Sequence, residues 1–600
     1  MLKFEFILLF LSIWGFFMPP VSALSSLQPA LLSRAASRLQ PDFRLTHPQF
    51  ASLSVDKFSS SQKKAEVKES KFEQITPKVY QFGTSGYRAI GKDFSDSVPI
   101  LTQAISDYLI RESQKTGEIL PVLLGGDTRD FSHDKKEEIT LNLLSKGFDV
   151  YSDAPNQTPT PVLAYAAKHL DKLGLPHTKS AGAILLTASH NPWAYGGYNF
   201  LTNEGEVAPN SVSKQFEALQ AKPLNLKLNR KGKLGQLYPT IFRSYLKHLD
   251  TLIDFKRIRD AKIAVNYDPM YGAATAFFPD MMAERQISMT SINDGDQRPA
   301  HIHANGPDPT AANLADLAKL VREDEHPKNL KVGLANDGDA DRFGVLDESG
   351  KFIQPNDVLA LALEHLAKNK KRNGVVARSQ ATSHILDEIA KRYGMAVSET
   401  PVGYKYVAEV FKEHPVGSAQ PVVLGGESSG GLSIYGHVPE KDGMIANLTM
   451  MEMMAYEQKP LGVLLKDIKD SLPNKFGFTE LAVTTDKKDA LAEYFAKLAK
   501  TGGKFNGVEI DVETTQKKAA ALQEKFHTTD GTKLYLKDGS WILVRKSGTE
   551  PMARIYFEVM APSQSEVTQK RESMMKHVNT LLTSAPFGIA SKSIKVKVNE

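Results

Sequence analysis

Short apolar runs closed by glycine, proline or small polar residues recur from about residue 74 onward, separated by longer segments with apolar positions at helical spacing. Residues 122–124, 148–151 and 183–186 read as buried strands, with a polar-faced helix over 133–146 that stops at Gly147. Further along, the pattern predicts an amphipathic helix over 238–255, a strand over 262–267, a helix over 311–322 and a strand over 331–335. Then come a helix over 357–368, a strand over 374–377, a helix over 382–393 ended by Gly394, and a strand over 422–424. Strands alternating with helices in this way predict α/β domains with crossover helices. A boundary near Leu472-Pro473 leaves residues 473–600 as a smaller α+β domain.

Six hundred residues correspond to roughly three to five domains, and 41% hydrophobic with 24% charged residues is an ordinary globular composition. Cysteine is absent, which excludes disulfides, thiolate metal sites and a cysteine nucleophile. The net charge of +5 changes meaning once it is located: residues 1–79 hold ten Lys/Arg and six Asp/Glu, leaving about +1 for the rest. A near-neutral body does not fit a nucleic-acid binder. Lys3, the apolar stretch 6–17 and the small-residue site Val21-Ser22-Ala23 read as a secretory leader cut after Ala23. Residues 24–55 are serine-rich with Arg34, Arg38 and Arg44, either a transit-like second address or a spacer, and 59–70 read as a polar linker. No later segment is long and apolar enough to span a bilayer.

Several of the loops that close these strands carry chemistry. After 183–186 comes Thr187-Ala188-Ser189-His190-Asn191-Pro192, which puts Ser189 on a tight turn at the carboxyl end of a strand, where open α/β sheets place ligands. A serine there, beside a histidine, could carry a transferable group, although these residues alone favour a capping or turn serine. Upstream, Phe82-Gly83-Thr84-Ser85-Gly86-Tyr87-Arg88 is a glycine-punctuated loop ending in a cation, and Gly126-Asp127-Thr128-Arg129 follows the first strand. After 331–335, Asp337, Asp339 and Asp341 alternate on a turn ending in Arg342, a pattern that gathers oxygen ligands around a hard cation such as Mg²⁺. An EF-hand is rejected because Arg342 stands where its glycine belongs and the flanks read as strands. A phosphatase with Asp337 as nucleophile and a purely structural loop stay open on these residues alone. In the glycine-rich run 425–431 a carboxylate, Glu427, and a serine hydroxyl could grip vicinal hydroxyls, and Arg545, Ser547, Gly548 and Thr549 form a nest suited to a held phosphate.

Taken in order, TASHNP, the GTSG-x-R loop, DPMYG at 268–272, DGDADR, the TPVGYK segment, GE-x-SG and R-x-SGTEP resemble the α-D-phosphohexomutases, the phosphoglucomutase/phosphomannomutase family, from about Val79 to the C-terminal region. The resemblance implies three α/β domains with mixed sheets plus a smaller C-terminal α+β domain around a cleft. Its segments would be a leader (1–23), a spacer or transit-like stretch (24–73), domain I with the phosphoserine loop (74–235), domain II with the metal loop (236–352), domain III with the sugar loop (353–472) and domain IV with the phosphate loop (473–600). It implies a phosphohexomutase acting on small-molecule hexose phosphates, glucose before mannose, through phospho-Ser189 and a hexose 1,6-bisphosphate. Mg²⁺ would be held by Asp337, Asp339, Asp341 and the Ser189 phosphate, with glucose 1,6-bisphosphate as activator. Arg88, His190 and Lys405 would assist transfer, Glu427 and Ser429 bind the sugar O3 and O4 hydroxyls, and Arg545, Ser547, Gly548, Thr549 and Arg342 bind substrate.

Two departures stand out. Ser428 replaces the second glutamate of many glucose-type members. Asn199 occupies the position, ten residues past the serine, where the family usually has lysine, and an amide supplies neither that charge nor a base, leaving His190 or Lys405 to cover the role. Alternatives to the mutase are a sugar-phosphate phosphatase using Asp337 and a catalytically silent sugar-phosphate-binding protein. The leader points to export or organelle delivery, whereas hexose-phosphate chemistry points to a cytoplasmic or stromal pool.

Overall fold

A computed structural model of the chain describes residues 79–83, 86–295, 305–326, 329–547 and 551–598. The leader and spacer readings, and Thr84, Ser85, Gly548 and Thr549, lie outside these residues. Among the described residues no helix is long and apolar enough to cross a membrane.

The first sheet contains β1 (Tyr87–Ile90), β2 (Val122–Gly126), β3 (Val150–Ser152), β4 (Gly182–Leu186), β5 (Tyr195–Leu201) and β6 (Leu234–Gln236), in the order β1-β5-β4-β2-β3-β6. Its centre is parallel, but β5 runs antiparallel to both β4 and β1, so the sheet is mixed. The second comprises β7 (Ala264–Asp268), β8 (Met289–Ser291), β9 (Lys331–Asn336), β10 (Phe343–Leu346) and β11 (Phe352–Ile353), ordered β11-β10-β9-β7-β8. The third comprises β12 (Val375–Ser379), β13 (Ala396–Thr400), β14 (Val422–Glu427) and β15 (Gly431–Ile434), ordered β13-β12-β14-β15. Helices cover all three. Central strands β2, β4, β9, β12 and β14 are buried along their whole length, as continuous apolar runs between helical layers should be.

The C-terminal domain is built differently. Its sheet joins β16 (Lys475–Thr484), β19 (Thr532–Tyr535), β20 (Trp541–Lys546), β21 (Met552–Ala561) and β22 (Ile594–Val598), with a separate ribbon of β17 (Lys504–Phe505) and β18 (Val508–Glu509). Every pairing in that larger sheet is antiparallel, and it has its own core around Phe495, Phe505, Ile542 and Phe557. The architecture is three α/β/α domains followed by a smaller α+β domain.

Several predicted helices come out shorter. The stretch 238–255 holds only Thr240–Leu249, and a second helix, Phe255–Ala261, starts afresh because Asp254 caps it by accepting from the Arg257 amide at 2.9 Å. The helix expected over 311–322 is Ala315–Glu323. The one expected over 382–393 is Ile385–Arg392, since the Thr382 hydroxyl is engaged with Ser379 at 2.9 Å and the Ser428 amide at 3.2 Å in the preceding loop. Three strand ends bear the chemistry. The loop after β4 carries Ser189, the loop after β9 carries Asp337, and β14 ends on Glu427.

Candidate active site

Ser189 lies at φ 51°, in the left-handed region that L-residues other than glycine seldom adopt, and only 2% of its surface is exposed. Its amide donates to Thr187 Oγ1 at 2.8 Å, so the turn is held by its own side chains. Oγ lies 2.8 Å from Asp337 Oδ2 and 3.2 Å from His190 Nδ1. A residue 148 positions away is therefore in direct contact with the hydroxyl.

The carboxylate loop and the loop over 305–309 both bear down on the serine loop, each at a glycine that removes an obstacle. A Cβ on Gly338 would sit 2.7 Å from the Ser189 carbonyl oxygen, and one on Gly306 would sit 2.2 Å from that of His190. Asp337, Asp339 and Asp341 bring one oxygen each within 4.8 Å of one another, and all three are buried. Burial, then Asp339 and Asp341, push Asp337 well above the ordinary carboxylate range. Burial and Asp341 raise Asp339 as well. Burial also opposes ionisation of Asp341, yet Lys441 and Arg342 hold it below its ordinary value. Oδ1 of Asp339 and Oδ1 of Asp341 are buried and accept no hydrogen bond. Orphaned carboxylate oxygens converging in this way fit a divalent cation. Thr160 fixes one ligand: its hydroxyl donates to Asp339 Oδ2 at 2.8 Å and its amide to the Asp339 carbonyl at 2.9 Å.

Arg88 stands beside the serine loop, its Nη1 donating to Asn191 Oδ1 at 2.8 Å. Burial lowers its proton affinity, opposed by Asp339 and Asp341, so the guanidinium and the carboxylates share one field. Arg342 donates its amide to Asp337 Oδ1 at 3.0 Å, with its side chain 3.8 Å from Asp308. The next residue, Phe343, donates its amide to the Gly430 carbonyl at 3.2 Å, which joins the carboxylate loop to the glutamate loop. Glu427 Oε1 accepts from the Gly403 amide at 2.8 Å, and burial raises its pKa against the pull of that amide and of Lys441, Arg545 and Arg342. Ser429 is exposed. Arg545 is engaged by Asp530, with Nε to Oδ2 at 2.8 Å and Nη2 at 2.6 Å. Ser547 accepts from Lys488 at its carbonyl, 2.6 Å away.

Lys405 is engaged outside the serine loop. Its Nζ donates at 2.6 Å to Oδ1 of Asn210, the first residue of helix Asn210–Ala221. Asn199 is equally occupied, with Nδ2 on the Thr187 carbonyl at 3.1 Å and only 4% of the residue exposed. Of the groups considered for the absent lysine's role, His190 alone touches Ser189. Lys441 was not anticipated as part of the site. It hydrogen-bonds Asp341 Oδ2, and it is placed there because the following residue, Asp442, caps the helix Gly443–Glu457 through the Met444 and Ile445 amides at 2.8 and 3.0 Å. The signal was present in Pro439-Glu440-Lys441-Asp442-Gly443, which resembles the family and opens the following helix without marking Lys441 as a site residue.

A strained serine against three buried carboxylates, with Arg88 and Arg342 alongside and a buried glutamate on the loop that Phe343 joins to them, has the features of a phosphoryl-transfer site. Comparison with known proteins agrees. All four phosphoglucomutase/phosphomannomutase domain signatures match: the α/β/α domains I, II and III over residues 80–225, 243–350 and 354–471, and the C-terminal domain over 508–577. A phosphoglucomutase/phosphomannomutase of Thermococcus kodakarensis is 30% identical over 495 residues, 81% of this chain and 95% of that protein. A phosphoglucosamine mutase of Alkaliphilus oremlandii is 28% identical, covering 80% of this chain and 94% of that one. The crystal structure of a candidate phosphomannomutase from Thermus thermophilus superposes with a TM-score of 0.65 at 25% identity, over 85% of this chain and all of the other. The chain belongs to the phosphoglucomutase/phosphomannomutase family, whose members are isomerases that work by phosphoryl transfer.

Proposed function

We propose that this protein interconverts hexose 1-phosphate and hexose 6-phosphate, with glucose as the hexose, through a phosphoserine at Ser189. The observation that carries the reading is the contact between Ser189 Oγ and Asp337 inside a buried triad of carboxylates. In the forward direction the P–Oγ bond of phospho-Ser189 breaks and the phosphoryl group passes to the sugar O6, giving glucose 1,6-bisphosphate. The bisphosphate turns over in the cleft, and its 1-phosphate returns to Oγ, releasing glucose 6-phosphate. His190 Nδ1, 3.2 Å from Oγ, gives Oγ a proton as the P–Oγ bond breaks and takes it back when the serine is rephosphorylated, while the proton lost from O6 in the first transfer is replaced at O1 in the second, so no net proton is released.

Asp337, Asp339 and Asp341 would hold Mg²⁺ together with the serine phosphate, and the ion would withdraw charge from the transferring group. Arg88 supplies a fixed positive charge beside the same phosphate. Glu427 and Ser429 grip the sugar in either orientation. Arg545, with Ser547, Gly548 and Thr549, holds the phosphate that is not reacting, with Arg545 exchanging Asp530 for it. Glucose 1,6-bisphosphate would prime the serine.

A coupled assay with Mg²⁺ and catalytic glucose 1,6-bisphosphate, offering glucose, mannose and glucosamine 1-phosphates side by side, tests both the chemistry and the sugar. The expected result is 6-phosphate from glucose 1-phosphate, falling to background in Ser189→Ala. Preference for another sugar would reassign the substrate within the same chemistry. Free phosphate whose release survives Ser189→Ala would instead make Asp337 the nucleophile of a phosphatase, and binding without turnover would make the protein a sugar-phosphate receptor.

A further inference from the structure

The Gly126-Asp127-Thr128-Arg129 segment follows β2 and touches none of the reacting groups directly, yet Arg129 is among the most committed side chains in the first domain. Its guanidinium has five N–H donors in a rigid fork, and all five are used. Nε donates to Asp127 Oδ2 at 3.0 Å. Nη1 donates to the carbonyls of Pro192 at 2.8 Å and Tyr195 at 3.1 Å. Nη2 donates to those of Ser189 at 2.6 Å and Asn191 at 2.8 Å. The side chain is 1% exposed, and the Trp193 ring centre lies 5.1 Å from Cζ. With no donor left over and no access to solvent, Arg129 has nothing to offer a substrate.

What it does offer is control of a strained turn. Left-handed backbone at a serine persists only where the surroundings over-determine it. Asp127 Oδ2 accepts from Thr187 Oγ1 at 2.7 Å, and that same Oγ1 accepts from the Ser189 amide at 2.8 Å. Ser189 is thus gripped at its amide through Thr187 and at its carbonyl through Arg129, and both grips end on Asp127. The residue between them ties this frame to the second domain. Thr128 Oγ1 donates to the Tyr271 carbonyl at 2.7 Å, and two residues on, the Ala273 amide donates to the carbonyl of Gly338 at 2.9 Å, within the carboxylate loop.

We propose that Arg129, braced by Asp127, is the positioning residue of the phosphoryl-transfer site: it sets the backbone of Ser189 through four carbonyls and so fixes Oγ against the carboxylates. The inference rests on the mutase reading for its kinetic consequence, though the clamp itself does not depend on it. Lysine keeps the charge but concentrates its three donors on one atom, so it cannot span four carbonyls.

The test compares the parent with Arg129→Lys and Arg129→Ala, with thermal unfolding measured on each. In Arg129→Lys, kcat should fall about 100-fold, the usual consequence of a misplacement of roughly 1 Å at a reacting group, while KM for glucose 1-phosphate stays within about two-fold. In Arg129→Ala, added guanidinium should restore at least tenfold of the lost turnover, and the same salt should leave Arg129→Lys unaffected. Hydrogen exchange at the Ser189, Asn191 and Tyr195 amides should quicken in Arg129→Lys while the β2 and β4 amides stay protected. If Arg129→Ala does not fold, the lysine variant decides through its kinetics and exchange. A kcat within threefold of the parent, or a loss expressed as higher KM, would overturn the proposal, as would unchanged exchange in the loop. A parent without any turnover would refute the mutase reading, and exchange would still judge the clamp.

Discussion

Gly338 offers a direct way to pry the carboxylate loop off the serine loop. Its backbone lies outside the left-handed region, so alanine introduces no conformational strain of its own. The added Cβ would meet the Ser189 carbonyl oxygen at 2.7 Å, about 0.7 Å short of the 3.4 Å at which ordinary contact begins, and Pro307 Cγ at 2.9 Å. Neither neighbour yields easily: that carbonyl is pinned by Arg129 at 2.6 Å, and proline is rigid. The loops must therefore part by several tenths of an ångström, in a site where a 1 Å error costs about 100-fold. Gly338→Ala should lose between about 10-fold and about 100-fold in kcat, with KM for glucose 1-phosphate nearly unchanged because Glu427 and Arg545 are untouched. Overpacking of this kind also costs about 1–3 kcal/mol of stability, so unfolding and steady-state rates are measured on the same preparation. A folded Gly338→Ala enzyme with kcat within twofold of the parent would show that the close approach of the two loops does not govern transfer.

Other expectations follow from the same contacts. Mg²⁺ at about 100 times its dissociation constant should stabilise the parent by about 2.7 kcal/mol, read as a rise in melting temperature; Asp341→Asn should lose most of that rise, and an equal rise in the variant would put the ion elsewhere. Burial, then His437 and His169, push His248 down to about 2, so its neutral form contributes stability that is complete above about 6.5 and is lost as pH falls. His248→Gln should flatten the fall in stability between pH 6.5 and 5, where each pH unit costs up to about 1.4 kcal/mol for one such group, and an unchanged slope in denaturant titrations would count against this account. Asn199→Lys should bring no gain in kcat and a lower melting temperature, because the amide already fills its space and bonds Thr187; a tenfold gain would show that the missing lysine had been limiting.

Much of this site was legible because its parts are local. Ser189, the three alternating aspartates and Glu427 each sit where an apolar strand runs out into small polar residues, and a strand end is marked by neighbours in sequence. The alternating elements of the α/β domains were readable for the same reason. Contacts between distant segments were not. Arg129 meets carbonyl oxygens 60 or more positions away, and Lys441 meets Asp341 across 100, with nothing in either neighbourhood naming the partner. Lys405 shows the converse: a lysine in a recognisable segment points at Asn210 because helix Tyr404–Glu413 sets its direction. The break in the helix predicted over 238–255 came from competition, in which the Asp254 carboxylate offered the backbone a new start that apolar periodicity does not register.

Thr160 holds Asp339 by both its hydroxyl and its amide, and it belongs to a different domain from the residue it holds. No single domain therefore carries a finished carboxylate loop, and the complete constellation exists only in molecules where the first two are docked. Substitutions in either domain's hydrophobic core, away from the serine and carboxylate loops, will then lower the number of working enzymes rather than the speed of each one. Temperature-sensitive variants should show a full turnover rate per competent site, counted by the fraction of chains that accept phosphate from glucose 1,6-bisphosphate, beneath a reduced total.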